Sequence, residues 1–283
     1  MPFSGDPAEL ACIDVKLGTG ALVFLLILII LAVRNQDGDW FSPTVVSKVE
    51  TPNPDNLRFN LGNSDQVLIV TTQDWGSTHA TAALWEKTSD GKTWKRVDGD
   101  YQARVGRSGL KVNRSEGDGT TPAGIFHLSS AFGASSNIET GLRYQKVEQG
   151  SCWISDVTDP KYNEWTLRGN CAPKNEDLFA GAQNNGPYAH AVVIDFNTHP
   201  VIVGKGSAIF LYRNEFVNGN RGPTRATKAG ITLANDDLLN IFRTLSDDLQ
   251  PVVVIGPIKW IIGPKESTSV VDGEKLDLAP QTG

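Results

Sequence analysis

The chain has 283 residues, 40% of them hydrophobic, and a formal net charge of −6 at neutral pH. This is enough apolar material for one substantial core, and the negative balance argues against nucleic acid as a partner, because phosphate binding needs a concentrated basic face. With three cysteines, four histidines, no phosphate-binding loop and no ligand cluster at metal spacing, no metal site and no cofactor is expected.

Residues 1–16 read as a short N-terminal tail, in which Cys12 is a candidate for acylation. The first predicted element is the apolar run Leu17–Val33, which carries no charge between Lys16 and Arg34. Its seventeen residues, at ~1.5 Å each, just reach across a hydrocarbon core of about 30 Å. Ala32-Val33-Arg34 is a poor cleavage site, which favours an uncleaved signal-anchor over a removed signal peptide. A run with no polar face also disfavours a buried soluble helix. Single cations on both sides give the positive-inside rule no decisive vote. The expectation is a single-pass protein that meets the lipid bilayer through residues 17–33 and carries its C-terminal part outside the cytoplasm.

Residues 34–64 are polar and broken by Pro43, Pro52 and Pro54, as in a tether. Gln66–Thr72 is a β-branched strand, and residues 82–86 and 93–97 flank Asp90-Gly91-Lys92, a hairpin signal. Residues 191–196 and 200–203 read as two strands joined by a turn at Asn197-Thr198-His199, and Ser207–Tyr212 as a further buried strand. One soluble helix is predicted from Asn235 to Leu245, capped by Asn235, with Leu238, Leu239, Phe242 and Leu245 at helical spacing. Val252–Ile255 is the last strand. The domain is expected to span residues 65–260 and residues 261–283 to form a flexible tail. The fold class is mainly β (α+β). Cys152 and Cys171 pair if this part is exported, or remain two buried thiols.

Several blocks resemble one branch of the L,D-transpeptidase (YkuD/ErfK-type) family. They are Val67–Trp75, Val105-Gly106-Arg107-Ser108-Gly109-Leu110, Glu116–Phe126 (EGDGTTPAGIF), Trp153 with Asp156, Pro160, Tyr162 and Asn163, His190–Asn197, Gly204–Leu211, and Val253–Pro257. The resemblance implies a mixed β-sandwich with a packed helix, placed after the membrane span. Active members use a cysteine thiolate, with a histidine as base, to attack a peptidoglycan stem peptide; no cofactor is implied.

In this chain Tyr212 stands at the family histidine, and no cysteine follows Cys171. Anchoring on the helix puts the lost nucleophile at Gly230, after Ala229; anchoring on Pro223-Thr224 puts it at Thr227. By the same resemblance Gly206, Ser207, Thr224 and Ala229 would shape the substrate groove. Cys152 is a candidate relocated nucleophile. His79, His127, His190 and His199 are read as ordinary surface or partly buried residues. Three functions stay open: a pseudoenzyme that binds a stem peptide or another cell-surface ligand, an acyl-transferase using Thr227, and a structural membrane protein.

Overall fold

Seven consecutive buried residues, Gln66–Thr72, make β1 an interior strand of the fold. Its run of Val, Leu and Ile without polar alternation suits a strand covered on both faces and hydrogen-bonded on both sides. This computed structural model describes residues 49–136, 138–218 and 221–265. The apolar run 17–33, the tail before it, residues 34–48 of the expected tether and the tail beyond residue 265 lie outside them. Among the described residues, no helix is long and apolar enough to cross a membrane.

The remaining elements follow in chain order. They are β2 (His79–Lys87), β3 (Trp94–Arg104), β4 (Leu110–Lys111), β5 (Thr121–Pro122), β6 (Gly124–His127), β7 (Ser130–Gly133), β8 (Arg143–Lys146), β9 (Ser151–Trp153), β10 (Trp165–Leu167) and β11 (Glu176–Asp177). Then come α1 (Leu178–Ala182), β12 (His190–Val193), β13 (Phe210–Arg213), β14 (Phe216–Asn218), β15 (Arg221–Thr224), β16 (Ile231–Leu233), α2 (Asn235–Thr244), β17 (Val252–Pro257) and α3 (Ile258–Ile261). Ten strands bond continuously in the order β6-β17-β1-β2-β3-β16-β13-β12-β7-β8. The sheet is mixed: β1 runs parallel to β17, β13 to β16 and β7 to β8, while the other neighbours are antiparallel. A small separate sheet has the order β10-β9-β11.

The period-two alternation of strands sorts side chains between faces. Leu68 and Val70 of β1, Val192 of β12 and Leu211 of β13 share one core with Leu238, Ile241, Phe242 and Leu245 of α2 and its C-cap. Strands from both halves of the sheet meet in that core, so the sheet curls about α2. Their neighbours turn the other way. Val67 and Ile69 pack with Leu57, Phe59, Leu61 and Ile261. Ala191, Val193 and Phe210 pack with Phe132, Trp153 and Leu178, and Tyr212 lies against this third cluster.

The mainly-β class is as expected, with several local differences. The hairpin strands β2 and β3 run longer than the predicted pieces. Residues 200–203 form no strand; the Asn197 side chain takes up the backbone groups of Ile202 in their middle, Nδ2 donating to Ile202 O (2.9 Å) and Oδ1 accepting from Ile202 N (2.7 Å). β12 stops at Val193, and β13 starts only at Phe210, since Ala208 sits at φ +54°. Asn235 does not cap α2; Ala234 occupies the N-cap without a side-chain bond, and Asn235 is the first helical residue. Ile241, absent from the predicted stripe, is fully buried, whereas Leu239 is only half-buried. Two short helices, α1 and α3, join the predicted one. Leu57, Phe59 and Leu61 are buried, so the last part of the expected tether is an integral layer of the domain.

Candidate functional site

Tyr212, Ala229, Gly230 and Ser207 come together on one cleft of about 560 Å³. β13 carries Tyr212 on the face opposite α2. Parallel pairing of Leu211 with Ile231 and Tyr212 with Thr232 brings the start of β16, and Gly230 just before it, alongside. A Cβ built on Gly230 would stand 2.5 Å from Phe210 O and 2.8 Å from Tyr212 Cε1, so this position requires glycine. Gly230 O in turn accepts the hydroxyls of Thr227 (2.7 Å) and Thr121 (3.0 Å).

Thr227 is 5% exposed, and its backbone is stitched to the 105–107 segment: Thr227 N donates to Val105 O, and Arg107 N to Thr227 O. Its hydroxyl lies behind the turn and is not among the cleft-lining groups. Thr224 pairs with Phe216 in the β14–β15 hairpin and does not line the cleft either. Gly206 sits beneath the wall. Its amide donates to Tyr162 Oη (2.9 Å), and at φ +128° any side chain on it would overlap the Arg114 guanidinium.

The polar end of the cleft is a tight network. Glu116 Oε2 accepts both Tyr162 Oη–H (2.6 Å) and Ser207 Oγ–H (2.7 Å), and Ser155 Oγ lies 2.8 Å from Ser207 Oγ. Asn163 fixes the backbone around it, accepting Trp153 Nε1–H (2.8 Å) and Ala208 N–H (3.1 Å) while donating to Asn197 O (2.7 Å). The buried Arg114 donates through Nε to Thr120 O (3.0 Å) and stacks near the Phe196 ring.

The aromatic end holds Tyr212 and Tyr188, ring centroids 5.5 Å apart, edge to face. Tyr188 Oη donates to Glu176 Oε2 (2.9 Å), and Lys228 Nζ reaches Glu176 Oε1 (3.1 Å) across the cleft. Burial, and then the carboxylates of Glu176 and Glu215, push the Tyr212 phenol above its ordinary range. A phenol held protonated donates hydrogen bonds and takes no proton at neutral pH.

None of the four histidines lines the cleft. His79 lies against Arg104; His127 borders a separate groove beside Asp195; His190 faces Phe242. Cys152 and Cys171 are joined in a disulfide, which removes Cys152 as a nucleophile. Among the described residues no group of side chains is arranged to hold a metal ion. Sequence reading did not single out Glu116, Ser155, Glu176 or Tyr188. The EGDG block contains Glu116, but its partners Tyr162 and Ser207 lie in other blocks, 46 and 91 residues away in the chain, and no local pattern joins them. No family model, curated protein or solved structure matches this chain, so the cleft must be read from its own geometry.

Proposed function

We propose that this is a membrane-anchored, exported protein with an L,D-transpeptidase-like domain that binds a peptidoglycan stem peptide, or another cell-surface ligand, without covalent turnover. The observation that carries this reading is the packing of the Tyr212 ring edge on Gly230 inside an open cleft whose lining, among the described residues, contains neither thiol nor imidazole. Acyl transfer to a side chain needs an activated nucleophile and a base within hydrogen-bond reach. The two positions that would bear them by resemblance are neighbours here, which supports the Gly230 register, and neither has the required chemistry.

The finer fold reading, a mixed β-sandwich of that family with a packed helix, draws support from the curled sheet around α2. Export draws support from the disulfide, since such bonds persist in oxidising compartments. Use of Thr227 as a nucleophile is disfavoured by a hydroxyl that donates to Gly230 O behind the turn. A purely structural role is disfavoured by the cleft itself, which has stayed open and lined with fixed polar groups.

The test is titration of the purified full chain with a disaccharide-tetrapeptide wall fragment, following heat of binding and free D-alanine together. Saturable binding with no D-alanine release is expected. Release would overturn the non-catalytic reading, and absence of binding to any wall fragment would overturn the ligand class.

A further inference from the structure

One wall of the cleft is a unit apart from the main sheet. Ser155, Asp156 and Val157 follow β9, Lys174 and Glu176 approach and enter β11, and all five line the cavity. β9 is the middle strand of its small sheet, yet β11 is held to it by only two residue pairs, Glu176 with Trp153 and Asp177 with Cys152. Polar contacts also reach this segment: Asn175 Oδ1 accepts the amides of Ser155 (3.0 Å) and Asp156 (3.1 Å), Lys174 lies 3.4 Å from Asp156, and Glu176 accepts from Tyr188 and Lys228. The covalent tie between Cys152 of β9 and Cys171, just before this segment, is the strongest link. Cys152 is fully buried, whereas Cys171 is part-exposed.

We propose that the Cys152–Cys171 disulfide is a redox latch on the cleft. Oxidised, it holds residues 171–177 against β9, so that Glu176 can anchor both Tyr188 Oη and Lys228 Nζ. Reduced, it frees that segment, Tyr188 and Lys228 lose their shared acceptor, and the wall opens while the ten-stranded sheet stays folded. A dithiol reductant supplies the two electrons and two protons. Its thiolate attacks Sγ of the accessible Cys171, and Cys152 leaves as a thiolate and is protonated. The second reductant thiol then displaces Cys171 from the mixed disulfide, closing the reductant's own disulfide. The latch holds whichever ligand the cleft takes, so its failure and that of the ligand reading are separable.

The experiment is hydrogen–deuterium exchange of the full chain under native conditions, with and without dithiothreitol, with alkylation at Cys152 and Cys171 read peptide by peptide. On reduction, amides of residues 171–177 are expected to exchange on the order of tenfold faster or more, with β1 and β17 unchanged. Cys171→Ser without reductant should reproduce the pattern. Three results would overturn the latch: a disulfide that native dithiothreitol leaves intact, free thiols with unchanged exchange at 171–177, or equal loss of protection in β1 and β17.

Discussion

The ring edge of Tyr212 stands where a side chain on Gly230 would have to begin, 2.8 Å from the Cβ position, with the carbonyl oxygen of Phe210 closer still at 2.5 Å. The second contact is with backbone, which cannot rotate aside. Gly230→Ala is therefore expected to lower unfolding free energy by about 1–3 kcal/mol, the usual scale for overpacking. Tyr212→His in the same background removes the ring contact and leaves the Phe210 one, so recovery should be partial. Urea midpoints for the three proteins decide it; a Gly230→Ala variant as stable as the parent would show that the two strands do not approach this closely.

Gly230 O has two hydroxyl donors, Thr227 and Thr121, and the latter also accepts from Gly106 N (2.8 Å). Thr227→Val should cost about 0.5–1.5 kcal/mol, since one donor remains; Thr121→Val should cost more, because Gly106 N also loses its acceptor. Removing both leaves a buried carbonyl without either hydroxyl, and the double variant should exceed the sum of the singles by about 0.5–3 kcal/mol. Additive losses in urea denaturation would mean that the two hydroxyls do not share this acceptor.

Local patterns were legible where a segment's own chemistry decides its shape. β1 has the predicted bounds because a short run rich in β-branched residues suits a strand buried on both faces. α2 was visible from its apolar spacing. The Pro200–Val203 segment was misread because its apolar residues resemble a strand, while its backbone partners come from Asn197, a side chain that periodicity does not weigh. The missed cap has a related cause: Asn235 is a good capping residue by type, but the first helical turn begins one residue earlier than that role requires. The site was half legible. Tyr212, Ser207, Ala229 and Gly230 lie in or beside strands whose pairing joins them. Glu176 and Tyr188 arrive on the disulfide-tied wall and the loop after α1, which no local pattern places.

His190 gives the protein a pH-dependent stability term. Burial first, and then Arg213 and Arg243, hold its imidazole below the ordinary value of 6.5, and its Nδ1 is buried with no hydrogen-bond partner among the described residues. The unfolded chain therefore binds the proton at a higher pH than the native one. The stability contribution is complete above pH 6.5 and declines as pH falls from there toward the lower native value. His79 carries the same sign, while Asp195, raised chiefly by burial, carries the opposite one, so the comparison must be with His190→Gln. Between pH 7.5 and about 5.5 the parent should lose more stability than the variant. Parallel urea midpoints for the two proteins across that interval would remove this assignment.

Restoring a thiol and an imidazole distinguishes the two registers of the lost nucleophile. In Tyr212→His/Gly230→Cys both new groups belong to residues that line the cleft, one on β13 and one just before its partner β16, with the imidazole replacing the ring that crowds residue 230. In Tyr212→His/Thr227→Cys the sulfur takes the place of a hydroxyl that points to Gly230 O from a residue 5% exposed. The first thiol should react with iodoacetamide and with a β-lactam acylating probe on the order of tenfold faster than the second, because reactivity follows access and thiolate fraction. The Phe210 carbonyl predicts that the first variant is also the less stable, so labelling must be read at a temperature where both remain folded. Intact-mass kinetics give the answer. Faster acylation at residue 227 would reverse the register and return Thr227 to the cleft chemistry that its present hydrogen bond denies it.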